Sequence, residues 1–122
     1  IASHHAPQDW DNKVCEFQNA SFGMIGLQTT FTALQTVLPE LSNEKLTQLF
    51  STNARIIFNL PNVIIEEGAI AELTLFSRTG NSTLTESNNL SKSFNTPFAN
   101  KQLNGNIIGT INKGILSLNQ TI

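Results

Sequence analysis

Apolar residues recur at helical intervals in the first half of the chain. The first stripe has intervals of four, three and four and consists of Leu27, Phe31, Leu34 and Leu38. This spacing places the four side chains on one face of a helix that starts near Met24 and that Pro39 ends. Gly23 and Gly26 stand at the start of this helix, where glycine lets the backbone approach another group closely.

A second helical pattern follows Pro39. Ser42 is suited to cap its N-terminus, and Glu44 lies in the first turn, where the helix dipole favours a carboxylate. The stripe that we expect to be buried consists of Leu46, Leu49 and Phe50. Residues 51–53 interrupt the pattern and predict a cap for a third, short helix over residues 54–58.

After Pro61 the pattern changes from helix to strand. The β-branched run 63–65 and the alternating run 71–76 predict two strands, with Leu73 and Leu75 on one face of the second. A cluster of turn residues at 78–82 predicts that this second strand ends there.

The last third of the chain predicts a short strand, a loop and a hairpin. We expect an edge strand at 83–85 and an ordered loop over the polar, aperiodic residues 86–98. Runs 106–111 and 115–117 flank a turn in which Gly114 is placed for a left-handed backbone conformation.

The first eight residues predict a short strand end followed by a polar tip. Residues 1–3 are apolar or small, and Pro7 stops the strand because proline has no backbone donor. A strand, a polar tip, a loop and a helix N-terminus in this order are typical of the rim of a ligand site in α/β proteins. Because the chain opens at Ile1 inside a predicted strand, we expect it to be a fragment of a longer protein.

Composition narrows the class of protein. The 122 residues suffice for one domain or part of a larger one, and the net charge of -2 with no basic stripe argues against duplex nucleic acid as a partner. No apolar run approaches the roughly 18 residues that span a membrane, so we expect no membrane association. The single cysteine, Cys15, cannot form an internal disulfide, which favours a reducing, cytoplasmic location.

Seven segments of the chain resemble motifs of the dihydroorotases of the amidohydrolase superfamily, in the same order. Residues 1–8 resemble I-A-T-D-H-A-P-H, 12–13 the family's E-K, and 20–28 A-P-F-G-I-x-G-L-E. Residues 51–56 resemble S-x-N-P-A-R-I, 67–76 G-x-D-A-D-L-V-L-F, 91–98 S-K-S-x-N-T-P-F, and 111–114 the closing V-N-G.

This resemblance implies an α/β fold that forms the C-terminal piece of a larger enzyme. Residues 1–60 would be the end of a metal-dependent-hydrolase (β/α)8 barrel, with its last strand and helices. Residues 61–122 would be strands of the small, composite β domain. The family's activity is the interconversion of dihydroorotate and N-carbamoyl-L-aspartate in pyrimidine biosynthesis, with zinc held mainly by barrel strands that precede this segment.

The resemblance places the site residues and also marks two departures. His4 stands where the family has the catalytic, metal-contacting aspartate, so it is the candidate catalytic residue and metal ligand. Gln8 stands where the family has a substrate-holding histidine, and Phe22 with Gly23 matches the family's substrate-contacting backbone pair. His5 matches a residue of structural type.

The two departures weaken the expected chemistry. At pH 7 an aspartate is charged whereas an imidazole is mostly neutral, so His4 would alter a proton transfer and a metal shell. Glutamine at position 8 can donate a hydrogen bond but brings no positive charge to an anionic substrate. The resemblance therefore implies a zinc-dependent hydrolase in the full-length protein, with turnover impaired by His4.

Three functions stay open at this stage. The first is a dihydroorotase, and the second is a non-catalytic dihydroorotase-like subunit that scaffolds aspartate carbamoyltransferase. The third is a related cyclic-amide hydrolase such as an allantoinase or a hydantoinase. We expect a homo-oligomer, and we expect the 122 residues alone to bind no zinc and to be inactive.

Overall fold

Three antiparallel strands form the sheet on which the helices pack. The computed structural model describes residues 1–119. The strands are β1 (Glu72–Thr83), β2 (Gln102–Asn112) and β3 (Ile115–Leu118), and they lie in the order β1-β2-β3. Glu72 pairs with Asn112 at one end of the β1–β2 ladder, and Thr83 pairs with Gln102 at the other.

β1 is longer than the sequence predicts. The turn expected at 78–82 is wrong, because the chain makes a register shift between Ser77 and Asn81 and then pairs again with β2. Gly80 has φ 84°, a left-handed conformation that glycine adopts without steric cost, and the extra residues form a bulge. Leu73 and Leu75 share the half-buried face of the strand, as predicted.

The hairpin between β2 and β3 is confirmed. Lys113 and Gly114 have φ 49° and 80°, and two consecutive positive φ values are typical of the tight type I′ turn. The loop over 86–98 is also confirmed, with a short 3-10 turn at Glu86–Asn88. Of the predicted strand at 83–85, Thr83 ends β1 and Leu84 forms a single bridge with Ala99.

Two predicted strands are wrong. Within residues 1–119, neither 1–3 nor 63–65 forms a strand. The Ile1 ammonium donates to the Leu49 carbonyl at 2.9 Å, and Ile65 is 87% exposed. A strand needs a neighbouring ladder for its backbone groups, and the described part of the chain places none beside either segment.

The first helix, α1 (Thr30–Val37), turns a polar face to the sheet. Thr29, Thr32 and Gln35 are each 4% exposed, whereas Leu27 and Leu38 of the predicted apolar stripe are 66% and 45% exposed. The sheet supplies polar partners, because the β2 residue Asn104 donates its N–H to the Thr36 hydroxyl at 2.7 Å.

A group of aromatic rings joins α1 to the sheet and to the segment that follows α2. The Phe31 ring lies 4.9 Å from Phe76 on β1 and 6.2 Å from Phe50. The residues with the most deeply buried apolar side chains are Ile25, Leu46, Leu84 and Leu103.

The second and third helices form one continuous run. α2 (Asn43–Thr47) leads through a π-helical segment (Gln48–Thr52) into α3 (Asn53–Ile57). The break predicted at 51–53 is therefore wrong, because Thr52 and Asn53 keep right-handed helical dihedrals. Asn59 has φ 51° just beyond the helix end, in the left-handed conformation that often follows a helix.

The fold class is α/β, as predicted. The described chain consists of a small layer of helices on a three-stranded antiparallel sheet. Within residues 1–119, none of the helices has the length and apolar character that crossing a bilayer requires.

The predicted cap at Ser42 is confirmed and yields a pH-dependent prediction. The Ser42 hydroxyl accepts the Lys45 N–H at 3.2 Å. Hydrogen bonding to the Ser42 side chain, followed by a backbone hydrogen bond, holds the pKa of Glu44 below its ordinary value of 4.5. The ionised carboxylate is therefore favoured in the native state, and its stabilisation is present above the unfolded-state pKa and disappears as the pH falls through the folded one.

We expect Ser42→Ala to lower the free energy of unfolding by about 1 kcal/mol at pH 7, because a helix cap is lost. The loss should shrink as the pH falls below the ordinary Glu range, where Glu44 no longer contributes. Ser42→Thr keeps the hydroxyl acceptor, so its free energy of unfolding should stay close to that of the wild type. Denaturant unfolding at several pH values measures both, and a pH-independent loss in Ser42→Ala would contradict the role given to Glu44.

Candidate functional site

The first segment of the chain lies directly against the turn that precedes α1. His5 and Met24 form a parallel β-bridge, and the Ala6 N–H donates to the Met24 carbonyl at 2.8 Å. The two segments that the sequence singled out are thus neighbours, and we call residues 4–8 together with 21–26 the rim.

His5 fixes the turn that precedes α1 through its ring. Its Nδ1 accepts the Gly26 N–H at 3.1 Å and the Leu27 N–H at 3.4 Å. An imidazole nitrogen accepts only when it carries no proton, so this arrangement needs the proton of the neutral ring on Nε2. His5 therefore has a structural role within the described chain, in agreement with its predicted type.

Two glycines allow the rim segments to touch. A Cβ on Gly23, which has φ 110°, would lie 2.6 Å from the Ala6 Cβ. A Cβ on Gly26 would lie 2.6 Å from the Ser3 carbonyl oxygen. Either distance is well inside van der Waals contact, so any larger residue would push the first segment away from the turn.

Lys13 holds the turn from the side of the polar loop. Its ammonium donates to the Ser21 carbonyl at 2.7 Å and to the Gly23 carbonyl at 3.1 Å. The Ser21 N–H in turn donates to the Asn12 carbonyl at 2.9 Å. These contacts place one positive charge beside the rim.

Asn95 ties both halves of the rim to the 86–98 loop. Its side-chain amide donates to the Ala6 carbonyl at 3.3 Å and to the Gly23 carbonyl at 3.2 Å. Its side-chain oxygen accepts the Gln8 N–H at 3.2 Å. The predicted site residues Gln8 and Gly23 are therefore brought together through a third residue.

Phe22 and Gly23 offer two unused backbone donors. In the hydrogen bonds among residues 1–119, neither the Phe22 nor the Gly23 N–H acts as a donor. The Phe22 side chain is 95% exposed, so this residue meets solvent rather than the body of the described chain. Successive free N–H groups in a turn with positive φ are suited to bind an anion.

His4 lies at the exposed tip of the rim. It has φ 46°, a left-handed conformation that is uncommon for any residue other than glycine. Within residues 1–119 its side chain forms no hydrogen bond, so the ring is available to groups outside this part of the chain.

The described donors do not by themselves fit a zinc site. No group of three His, Cys, Asp or Glu side chains within residues 1–119 lies close enough together to hold a metal ion. A catalytic zinc takes three protein ligands and an open position, so His4 could supply one ligand at most.

The chain matches curated dihydroorotases along most of its length. It is 35% identical over 117 residues to the dihydroorotase of Fusobacterium nucleatum, covering 93% of the chain and 28% of that protein. It is 38% identical over 102 residues to the dihydroorotase of Shouchella clausii, covering 81% of the chain and 24% of that protein. The chain is a relative of the dihydroorotases.

The likeness to dihydroorotases extends to further organisms and is limited in span. The dihydroorotase of Chlorobaculum tepidum is 37% identical over 112 residues, which cover 89% of the chain. The chain spans about a quarter of the length of the curated dihydroorotases it matches. No protein-family model matches it.

The sequence did not indicate that Asn95 links the two rim segments of this dihydroorotase relative. Asn95 lies 87 positions from Gln8 and 72 from Gly23, so local patterns carry no sign of the contact. The one available signal was the dihydroorotase-like motif at 91–98, which contains Asn95. The roles predicted for His4, Gln8, Phe22 and Gly23 stay predictions.

We expect Gly23→Ala to separate the rim segments. An alanine at position 23 would have a positive φ and would also clash with Ala6. An alanine at position 68 would have a positive φ of 86° but no atom within 4 Å of its Cβ. Gly23→Ala should therefore be less stable than Gly68→Ala by at least about 1 kcal/mol, because overpacking adds to the backbone strain. Thermal unfolding of both variants measures the difference, and equal losses would show that the close contact has no energetic weight.

Proposed function

We propose that the protein containing this chain is a dihydroorotase-type cyclic-amide hydrolase that interconverts dihydroorotate and N-carbamoyl-L-aspartate in pyrimidine biosynthesis. The observation that carries the proposal is the similarity to dihydroorotases over as much as 93% of the chain. The rim adds support, because the segments that resemble the family's site motifs lie together in the structure.

In this proposal the chain forms the C-terminal part of a larger protein. Residues 1–60 complete a (β/α)8 barrel, and residues 61–122, of which the structure describes all but the last three, belong to the composite β domain. The unpaired segments 1–3 and 63–65 support this placement, because strands from the rest of the protein would supply their missing ladders. Exposed apolar residues on or next to the helices and in segment 63–65 support it too: Leu27, Val37, Ile56, Ile57, Phe58, Ile64 and Ile65.

The rim would hold the carboxylate of the substrate. The free N–H groups of Phe22 and Gly23 are donors of the kind that an anion needs, and the nearby Lys13 ammonium adds favourable charge. The Gln8 side chain would donate a further hydrogen bond from the opposite rim segment. This arrangement assigns binding and orientation to the described residues.

His4 would act at the reacting end of the substrate. Its ring is exposed at the tip of the rim, where it can accept and return a proton. In the full-length protein, zinc would be held mainly by residues outside this chain. A cytoplasmic location and a homo-oligomeric state are parts of the same proposal.

A second candidate function is a non-catalytic subunit that scaffolds aspartate carbamoyltransferase. His4 in place of an aspartate and Gln8 in place of a histidine favour it, since the first change removes a negative charge and the second removes a residue that can be protonated, while Phe22 and Gly23 of the family motif are kept. Stable co-elution of the full-length protein with aspartate carbamoyltransferase in gel filtration is expected for this candidate. Separate elution at micromolar concentrations would count against it.

His4→Asp tests the catalytic proposal in the full-length protein. We expect the rate of dihydroorotate hydrolysis to rise by about a hundredfold, because a carboxylate restores the acid–base group of the family at this position. His4→Asn has nearly the same shape as the aspartate but no charge, so it should show no gain. The decrease in ultraviolet absorbance on ring opening follows the reaction.

The comparison of these two variants separates the candidates. A gain in His4→Asp alone supports an enzyme whose chemistry depends on position 4. If wild type, His4→Asp and His4→Asn are all inactive with zinc supplied, the hydrolase proposal fails and the scaffolding candidate is favoured.

A further inference from the structure

The side chain of Asn95 contacts both halves of the rim at once. Its Nδ2 donates to the carbonyls of Ala6 and Gly23, and its Oδ1 accepts the Gln8 N–H. We infer that Asn95 is a positioning residue, which holds the Phe22–Gly23 turn at a fixed distance from Gln8 so that both can hold one substrate carboxylate. The identity of that ligand rests on the function proposed above.

Only an uncharged amide satisfies all of these partners. Two carbonyl oxygens need a donor, and an N–H needs an acceptor, which a primary amide supplies from its two ends. The Ser93 hydroxyl donates to the same Oδ1 at 2.6 Å and so fixes which end of the amide faces the carbonyls. An aspartate at this position would place a carboxylate oxygen against two carbonyl oxygens. An alanine would leave the two carbonyls, the Gln8 N–H and the Ser93 hydroxyl without this partner.

The loop that carries Asn95 has independent anchors. The Gln28 side chain donates to the Asn88 carbonyl at 2.9 Å and accepts the Leu90 N–H at 2.7 Å. The Asn95 carbonyl accepts the N–H of Ile25, a residue that is only 3% exposed, at 3.0 Å. The loop should therefore stay in place when the Asn95 side chain is shortened, so that effects on the rim are separable from effects on folding.

Asn89 provides a matched control in the same loop. Its side-chain amide donates to the carbonyls of Ser91 and Ser93 at 2.9 Å each, and its oxygen accepts the Ser91 N–H at 3.1 Å. Like Asn95, it is a half-buried asparagine with three contacts to backbone groups, but all three lie within the loop. Asn89→Ala thus tests the integrity of the loop, whereas Asn95→Ala tests the loop together with its link to the rim.

The experiment compares Asn95→Ala and Asn89→Ala in the full-length protein, with His4→Asp as the parent if the wild type turns over slowly. We expect Asn95→Ala to raise the KM for N-carbamoyl-L-aspartate by about tenfold, which is the effect of one lost hydrogen bond to a charged group. The kcat should stay within about twofold, because the carboxylate is remote from the reacting amide. Asn89→Ala should leave the KM unchanged while lowering the unfolding midpoint by a similar amount.

Hydrogen exchange gives a readout that needs no activity. The Ala6 N–H donates to the Met24 carbonyl and does not touch the Asn95 side chain, so it reports on how well the rim segments stay together. We expect its exchange to accelerate at least about tenfold in Asn95→Ala and to be unchanged in Asn89→Ala, because a loosened rim opens more often.

The outcomes distinguish this inference from the proposed function. If the parent is active, an unchanged KM in Asn95→Ala, or an equal rise in Asn89→Ala, overturns the positioning role. If the parent neither turns over nor binds N-carbamoyl-L-aspartate, the proposed function fails, and the Ala6 exchange rates alone decide. Exchange that is faster in Asn95→Ala but not in Asn89→Ala supports the role. Equal exchange rates in the two variants overturn it.

Discussion

The hydrogen bond from the Ala6 N–H to the Met24 carbonyl is the contact on which the candidate site depends. It joins the start of the chain to the turn before α1, and it forms only because the absent side chains of Gly23 and Gly26 leave room. His5 then binds the same turn, and Asn95 binds both segments from a distant loop. If the two segments moved apart, each of these polar groups would lose its partner at once.

The sequence predicted local features well where one residue type decides them. Ser42 caps α2, Gly114 occupies a left-handed turn position, and the 86–98 loop is ordered, because caps and turns follow from the chemistry of a few adjacent residues. The resemblance to dihydroorotases also identified the segments that form the rim. The α/β class was implied by the same resemblance, and the pattern changes from helical to strand-like near Pro61.

Most of the failed predictions depend on groups far away in sequence. The β-branched run at 63–65 has strand propensity but no ladder beside it, and 51–53 has the composition of a helix break but keeps helical dihedrals. The burial of Thr32 rather than Leu27 likewise depends on what the sheet presents to α1. Local patterns missed the role of Asn95 for the same reason, because its partners in the rim lie more than 70 positions away.

The polar face of α1 limits how this helix can sit on the sheet. An apolar helix face can slide by a turn and still bury a similar area, because the hydrophobic effect has no direction. Thr36 must meet the N–H of Asn104, and Gln35 must meet the guanidinium of Arg78 at 3.1 Å, and both pairings hold in one alignment only. The polar face of α1 thus buries less apolar area than an apolar face would, but it fixes a single register on the sheet. A helix held in one register keeps the turn at its N-terminus, and therefore the rim, in a fixed place relative to the sheet.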